Sequence, residues 1–403
     1  MMNYSKTIIL LLVTLLVLVS NITFGQALFG YDVLLNEVKE NYRQNEYAVA
    51  IIKIADKYLD GEISTIADIK SPLGEDYKNA YYSESPYWWE NPDDPDGPYI
   101  RHDGKRNPER FGGHKQKLME MYQAVTSLAF AAYLTGEDKY SARFEEFVNA
   151  WFIDESSRME PHLKYAQMIR NRDRIRGVGI IETHRFTGLI EALLLLKSTG
   201  MVEKKIFSAL DNWIEEYYTW LTESKWGIDE KERGNNHSSW WAAQSASIAF
   251  YLGKENDLKE FFEYGKHFLV DKQITKECRQ PLEDERTLSM NYNTFNLNAL
   301  SFLARVLDKS GYDLYNYINN DGSGLVCAAE HFIPFMLNPD SWELKQIKPY
   351  HKKAQPFLVL IGKKNGNEEF LEIYKKLALQ GGLSDEDEDP LLLFLAAQIV
   401  LKN

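Results

Sequence analysis

Residues 186–221 read FTGLIEALLLLKSTGMVEKKIFSALDNWIEEYYTWL. Phe186, Leu189, Ile190, Leu193 and Leu194 recur at three- and four-residue spacing, so they share one face of a helix that Gly200 closes. Ile206, Leu210, Trp213, Ile214, Tyr217 and Leu221 mark a second stripe immediately afterwards. A connection this short makes the two helices antiparallel neighbours.

The pattern extends in both directions. Upstream, residues 31–59 are helical in period, with Tyr47, Ile51, Ile54, Ala55 and Tyr58 on one side and Gly61 at the end. Residues 114–135 and 139–153 follow, the latter with Tyr140, Phe144, Val148 and Trp151 aligned. Downstream, 238–252, 256–270, 295–310, 324–336, 368–379 and 390–401 behave alike. Sustained two-residue alternation is scarce, which argues against a large sheet. No fixed period repeats, which argues against a regular solenoid. The expected fold is all-α: a single-domain α/α toroid over residues 26–403, an incomplete barrel of antiparallel helical hairpins with its long loops gathered at one mouth.

Two stretches break the helical pattern. Residues 70–112 are rich in Pro, Gly, Asp and aromatics, as in Ser85-Pro-Tyr-Trp-Trp89, and residues 161–179 are also irregular. Loops this long in a compact chain are usually functional. Tyr87, Trp88 and Trp89 suit either a platform for a sugar ring or a plug beneath the loop.

Formal net charge is −13 over 403 residues, which speaks against nucleic acid as a partner. The positive charge is nevertheless clustered. Arg101, Lys105, Arg106, Arg110, Lys115 and Lys117 fall in one segment, and Lys164, Arg170, Arg172, Arg174 and Arg176 in another. Such segments either remain solvated loops or line a groove that attracts a polyanion.

Residues 1–25 read as a signal peptide, with Lys6, the apolar run Ile8–Val19 and small residues at Thr23-Phe-Gly25. The run is too short to span a bilayer comfortably. The expectation is a periplasmic or secreted chain starting at Gln26, with no stable membrane insertion after cleavage. Cys278 and Cys327 either pair in such a compartment or stay as free thiols.

The chemistry is concentrated in two segments about fifty residues apart. The first is Gly234-Asn-Asn-His-Ser-Ser-Trp-Trp241; the second runs through Arg279-Gln-Pro-Leu-Glu283, Arg286 and Asn291-Tyr-Asn-Thr-Phe-Asn296. Together they supply amides, an imidazole, a guanidinium and a phenol. That set suits β-elimination from a 4-linked uronate. The C5 hydrogen is barely acidic until hydrogen-bond donors neutralise the adjacent carboxylate. A base must then take that hydrogen and an acid must protonate the departing O4. Asn236 and His237 suit the first task and Tyr292 the second, with Arg286 close enough to favour its phenolate. Each also has a plainer reading. Asn235 or Asn236 suits a helix cap, His237 a buried imidazole, and Arg286 a partner for Glu283 or Glu285. No histidine cluster has metal-ligand spacing, so neither a metal nor any other cofactor is expected.

These segments resemble the alginate lyase superfamily, whose α/α-toroid members carry an Asn-Asn-His segment followed by an Arg and a Tyr. The likeness continues through Pro86-Tyr-Trp-Trp89, Gly97-Pro-Tyr-Ile-Arg101, Asn107-Pro-Glu109, Met159-Glu-Pro-His-Leu-Lys-Tyr-Ala-Gln167 and Arg176-Gly-Val-Gly-Ile-Ile-Glu182. The resemblance implies that Asn236, His237 and Arg286 bind or neutralise the carboxylate and that Tyr292 is the acid and base. Tyr87, Trp88, Tyr165, Gln167, Arg176 and His184 are expected to contact substrate, His184 either at the carboxylate or in setting preference. The implied partner is an anionic polysaccharide, mannuronate-rich alginate first and glucuronan as the alternative. On mannuronate one tyrosine serves both proton transfers; on guluronate His237 becomes the candidate base. Two rivals remain: a glycoside hydrolase acting on uronides, which needs two placed carboxyl groups, and a non-catalytic glycan-binding protein.

Overall fold

The computed structural model describes residues 27–172, 174–383 and 389–400. The signal-peptide segment 1–25 lies outside the described residues. Thirteen principal helices are seen among the described residues. They are α1 (Asp32–Glu40), α2 (Glu46–Asp56), α3 (Gly113–Thr135), α4 (Asp138–Val148), α5 (Phe186–Thr199), α6 (Lys204–Glu223) and α7 (Asn236–Tyr251). Then come α8 (Glu255–Tyr264), α9 (Ser289–Lys309), α10 (Leu325–Leu337), α11 (Pro356–Asn365), α12 (Glu368–Gly381) and α13 (Pro390–Ile399).

From α3 onward the odd-numbered helices form an inner ring. Contacts run α3–α5–α7–α9–α11–α13 and return from α13 to α3, so the last helix closes the ring on the first inner one. The outer helices α2, α4, α6, α8, α10 and α12 pack outside it, making six outer–inner hairpins of an α/α toroid.

Burial separates the two layers. Inner helices are covered on every side, with unbroken buried runs at 124–132 in α3, 186–196 in α5, 238–249 in α7 and 296–307 in α9. Polar residues there are mostly small, such as Ser245 and Ser247. Outer helices bury one stripe, as in α6, where Phe207, Leu210, Trp213, Ile214, Tyr217, Tyr218 and Leu221 face inward. This is how helices that touch neighbours on all sides differ from helices that meet solvent on one.

Several boundaries differ from the sequence pattern. The 31–59 stretch is two helices, because Asn45 caps α2 by accepting from the backbone of Tyr47 and Ala48. Helix α9 starts at Ser289 instead of 295, which puts Tyr292 in its first turn. Helix α11, buried from Pro356 to Gly362, has no amphipathic stripe to announce it.

The irregular stretches carry four short strands. β1 (Tyr82–Glu84) pairs in parallel with β4 (Tyr165–Met168), and β2 (Trp88–Trp89) pairs antiparallel with β3 (Ile100–Arg101). A strap between α10 and α11 turns back over the start of α9. Ser289 Oγ donates to the Lys345 carbonyl, Ile347 N–H donates to the Thr287 carbonyl, and the Tyr350 and Thr294 hydroxyls lie 2.9 Å apart. Gln346 and Gln355 extend the seam to Asn291 and Asn298. Cys278 and Cys327 form a disulfide that ties the segment before α9 to α10. No described helix is long and apolar enough to cross a membrane.

Candidate active site

The inner helices all begin at one mouth of the toroid. Two cavities there are lined by the N-terminal halves of α3 (Lys115, Tyr122), α7 (Asn236, His237) and α9 (Tyr292, Phe295) and by the start of α11 (Pro356). His184 and Arg185, just before α5, and Leu391 in α13 complete the set. The positive ends of helix dipoles therefore converge on the mouth. One cavity is about 550 Å³ and the other about 840 Å³, and Tyr87, Arg106, His184, Arg185, Tyr292 and Phe295 line both. Tyr292 thus stands where they join.

Asn235, not Asn236, is the cap: its side chain accepts from the His237 N–H at 3.1 Å. Gly234 precedes it at φ +78°, a left-handed turn that aims the chain into α7. The cap releases Asn236 for another role. Its backbone N–H and amide nitrogen both donate to buried Glu283, at 2.8 Å and at 2.8–3.0 Å. Glu283 therefore holds the amide in place, and donation to a ligand must use the remaining amide hydrogen.

His237 lies against a second buried acid. Its Nδ1 is 2.6 Å from Glu230 Oε1, and Glu230 is fully buried. With Nδ1–H donated to that carboxylate, Nε2 is the atom left to act in the cleft. Nothing in the sequence singled out Glu230. The available signal was an acid seven residues before the imidazole, beyond ordinary helical pairing distance.

Arg286 pairs with Asp103 at 2.7 Å, and neither Glu283 nor Glu285 forms an ion pair with it among the described residues. Asp103 also accepts from the Thr287 N–H and hydroxyl. Burial opposes the charge on Asp103, but Arg286 and Thr287 outweigh it and hold the carboxyl down to about 2. The guanidinium lies 3.6 Å from the Tyr292 ring centroid, stacked on its face. The Tyr292 hydroxyl is 2.9 Å from that of Tyr87.

The sequence argument expected Arg286 to lower the Tyr292 pKa. Burial instead pushes it well above the usual 10 and Tyr87 adds to this, while Arg286 pulls the other way without prevailing. In the free protein Tyr292 is therefore a protonated phenol, already an acid, and Arg286 is the group that favours its conversion to a base.

The expected substrate contacts divide. Tyr87, Trp88, Gln167, Arg176 and His184 line the smaller cavity. Tyr165 does not; its ring packs on Tyr77 and His162. Strand β4 turns Ala166 into the core, and Gln167 then breaks the alternation with a φ of +52°. Trp89 is also outside the cavity, its indole N–H donating to the Lys105 carbonyl. Arg176 donates to Ser85 Oγ and the Gln167 carbonyl, both neutral. Burial, with Arg233, Arg174 and Arg172 nearby, lowers its pKa to about 10. That crowding of like charge marks a place where an anion relieves repulsion. Arg172 stacks on Trp88 at 4.6 Å beside it.

Glu182 lines the same cavity but is occupied, accepting from the Tyr81 and Ser83 hydroxyls at 2.7 and 2.6 Å. Among the described residues no group of three or more His, Cys, Asp or Glu is placed to hold a metal ion.

The sequence model of the alginate lyase family matches residues 70–342. No match is found among curated proteins. Among solved structures, the chain is similar to an alginate lyase from Bacteroides ovatus, with 28% identity, 92% of this chain and 99% of that chain covered, and a TM-score of 0.81. It is also similar to alginate lyase A1-III from Sphingomonas species A1, at 15% identity over 87% of this chain and 95% of that one, with a TM-score of 0.52. A histidine-to-alanine variant of A1-III complexed with a tetrasaccharide gives 16% identity, 87% and 94% coverage, and a TM-score of 0.53. The likeness to A1-III is one of fold.

Proposed function

The chain belongs to the alginate lyase family and is a polysaccharide lyase, and from that premise we propose that it cleaves mannuronate-rich alginate by β-elimination in the cleft around Tyr292. The observation that carries the reading is the convergence of Asn236, His237, Arg286 and Tyr292, from two segments of the chain, on one cleft. Asn236 and Arg286 donate to the uronate carboxylate, and a doubly protonated His237, its Nδ1–H held by Glu230, donates from Nε2, so the charge that builds up as C5 loses its proton is delocalised and held. Tyr292 returns a proton to O4. On mannuronate, C5–H and O4 lie on the same side and Tyr292 takes both transfers. The Arg286 guanidinium stacked on its ring stabilises the phenolate this needs.

A second reading, elimination at guluronate, is favoured by the Glu230–His237 contact. There the C5 proton and O4 depart from opposite faces. His237 Nε2 takes the proton while Tyr292, already protonated, supplies the acid.

We further propose that residues 1–25 direct export to the periplasm or beyond; the Cys278–Cys327 disulfide fits an oxidising compartment.

The test uses residues 26–403 with polymannuronate, polyguluronate and glucuronan, following the ultraviolet absorbance of the C4–C5 double bond. A rise on polymannuronate above the other two supports the first reading, and a preference for polyguluronate supports the second. Glucuronan as best substrate, or reducing ends without absorbance, overturns both. Tyr292→Phe is expected to abolish turnover while polymer affinity stays within about threefold; turnover near that of the unmodified enzyme removes Tyr292 from the mechanism.

A further inference from the structure

The larger cavity has a lining that the proton-transfer chemistry does not use. Its volume, about 840 Å³, lies toward the upper end of the range of about 300–1,000 Å³ for small-ligand sites. His184, Trp240, Phe295 and Phe302 contribute to the lining, packed on one another at 4.9–5.7 Å between ring centroids. The strap supplies Lys348, Tyr350, His351 and Lys353. The strap residues from 343 onward lie beyond the residues that the family model matches.

We propose that this cavity is a sugar subsite in which His184 and Trp240 bind a hydroxyl of one residue of the polymer, while Lys348 and His351 on the strap hold the carboxylate of the next. The identity of the polymer rests on the lyase reading; the subsite itself does not.

His184 carries the first half. Its Nδ1 is 2.9 Å from the Ile181 carbonyl and so bears the hydrogen. Its packing between Trp240 and Phe295 keeps the ring neutral, with the pKa lowered to about 3, chiefly by burial. Nε2 is therefore an acceptor only. A carboxylate is also an acceptor and gains nothing from it, whereas a hydroxyl donates to it. Trp240 provides the complement. Its indole nitrogen is buried and has no partner among the described residues, and an N–H is a donor only. A hydroxyl both donates and accepts, so one such group can satisfy the pair. Buried donors without a partner are uncommon in folded chains, and this one belongs to a residue that lines the cavity.

Charge carries the second half. Among the described residues Asp389 is the only acid lining the cavity, and its carboxylate lies 3.4 Å from Arg185. Arg106 and Lys348 bring positive charge to the lining. The strap is fixed to α9 at Thr294, two residues past Tyr292, and at Asn298. A carboxylate held there is thus referenced to the same helix that carries the phenol.

The test is calorimetric binding of a mannuronate tetrasaccharide to the full mature chain carrying Tyr292→Phe, so that no turnover occurs. Into that background go His184→Phe, which keeps a ring but removes the acceptor, and separately Lys348→Ala with His351→Ala, two exposed side chains whose loss leaves the core intact. Each is expected to weaken binding by about three- to tenfold, a scale set by one hydrogen bond or two partly exposed charge contacts. A crystal of the Tyr292→Phe variant with the tetrasaccharide is expected to place a sugar against His184 and Trp240. Affinities within about twofold for the strap variant, or sugar density that stops at Tyr292, overturn the proposal. The absorbance assay on the unmodified enzyme is independent. If it fails while the variants lose tetrasaccharide affinity, the lyase reading falls and the subsite stands.

Discussion

At the scale of single residues, three of the four groups proposed to react are each held by an acid. Glu230 fixes His237, Glu283 fixes Asn236 and Asp103 fixes Arg286. Buried partners of this kind set tautomer and orientation, and removing one commonly costs about 10–100-fold in activity. Glu230→Gln is accordingly expected to lower kcat by about that factor with KM little changed. Its pH–rate profile should also shift, because the amide no longer favours the Nδ1–H tautomer. A variant with the parent kcat and profile would reduce Glu230 to a packing role. Two of the plainer readings also resolve at this scale. Asn235 takes the cap, which leaves Asn236 to Glu283, and Arg286 turns to an aspartate that lies 183 residues away in sequence.

At the scale of elements, the cleft depends on a segment with little regular structure of its own. Residues 275–288 carry Glu283 and Arg286 between the outer and inner layers, and the Cys278–Cys327 disulfide secures them to α10. A cross-link across 49 residues stabilises by about 4 kcal/mol in a loop-entropy account, with 2–4 typical of measurements. Cys278→Ser with Cys327→Ser is expected to lower unfolding stability by about 2–4 kcal/mol in denaturant titration. An unchanged midpoint would mean that the segment is held by its other contacts alone. The strap is the second such element. It shows no helical or strand period, so its role as a cleft wall follows only from its hydrogen bonds to α9.

Across the whole molecule, charge and closure are the governing quantities. A chain of net charge −13 presents a mouth lined by Arg101, Arg106, Lys115, Arg176 and Arg233 together with helix N-termini. Attraction of a polyanion by such a mouth is screened by salt. Adding salt is therefore expected to raise KM on long chains while kcat stays level; a salt-independent KM would return these side chains to a merely solvated rim. Closure involves the first described residues as well. Leu28 and Phe29 are fully buried, the Leu28 N–H donates to Glu191 in α5, and Arg305 in α9 donates to the carbonyls of Leu28 and Gly30. Burial raises the Glu191 pKa from the usual 4.5 to about 7, although the surrounding N–H groups and Arg305 oppose it. The folded state thus holds this proton more tightly than the unfolded chain. The resulting stability is fully present below about pH 4.5 and is lost as pH rises through about 7, at most about 3 kcal/mol. The parent protein should lose stability between pH 5 and 8 by more than Glu191→Gln does, and parallel pH profiles would show that Glu191 does not titrate in that range.

The sequence by itself determined most of the helical segments, because periodic apolar spacing is a local property that survives without knowledge of neighbours. It also pointed to the set proposed as reactive, since Asn-Asn-His and the later Arg and Tyr are short motifs whose chemistry is written in side-chain type. Only the tertiary structure decided which helices are inner, because α11, buried from Pro356 to Gly362, gives no stripe to read. Only it decided the protonation of Tyr292, where burial among residues distant in sequence outweighs the nearby Arg286 charge. Pairings such as Glu230–His237 and Asp103–Arg286 belong to the same class. They arise where closing the ring brings helix N-termini and loops to one mouth, and no local pattern encodes that meeting.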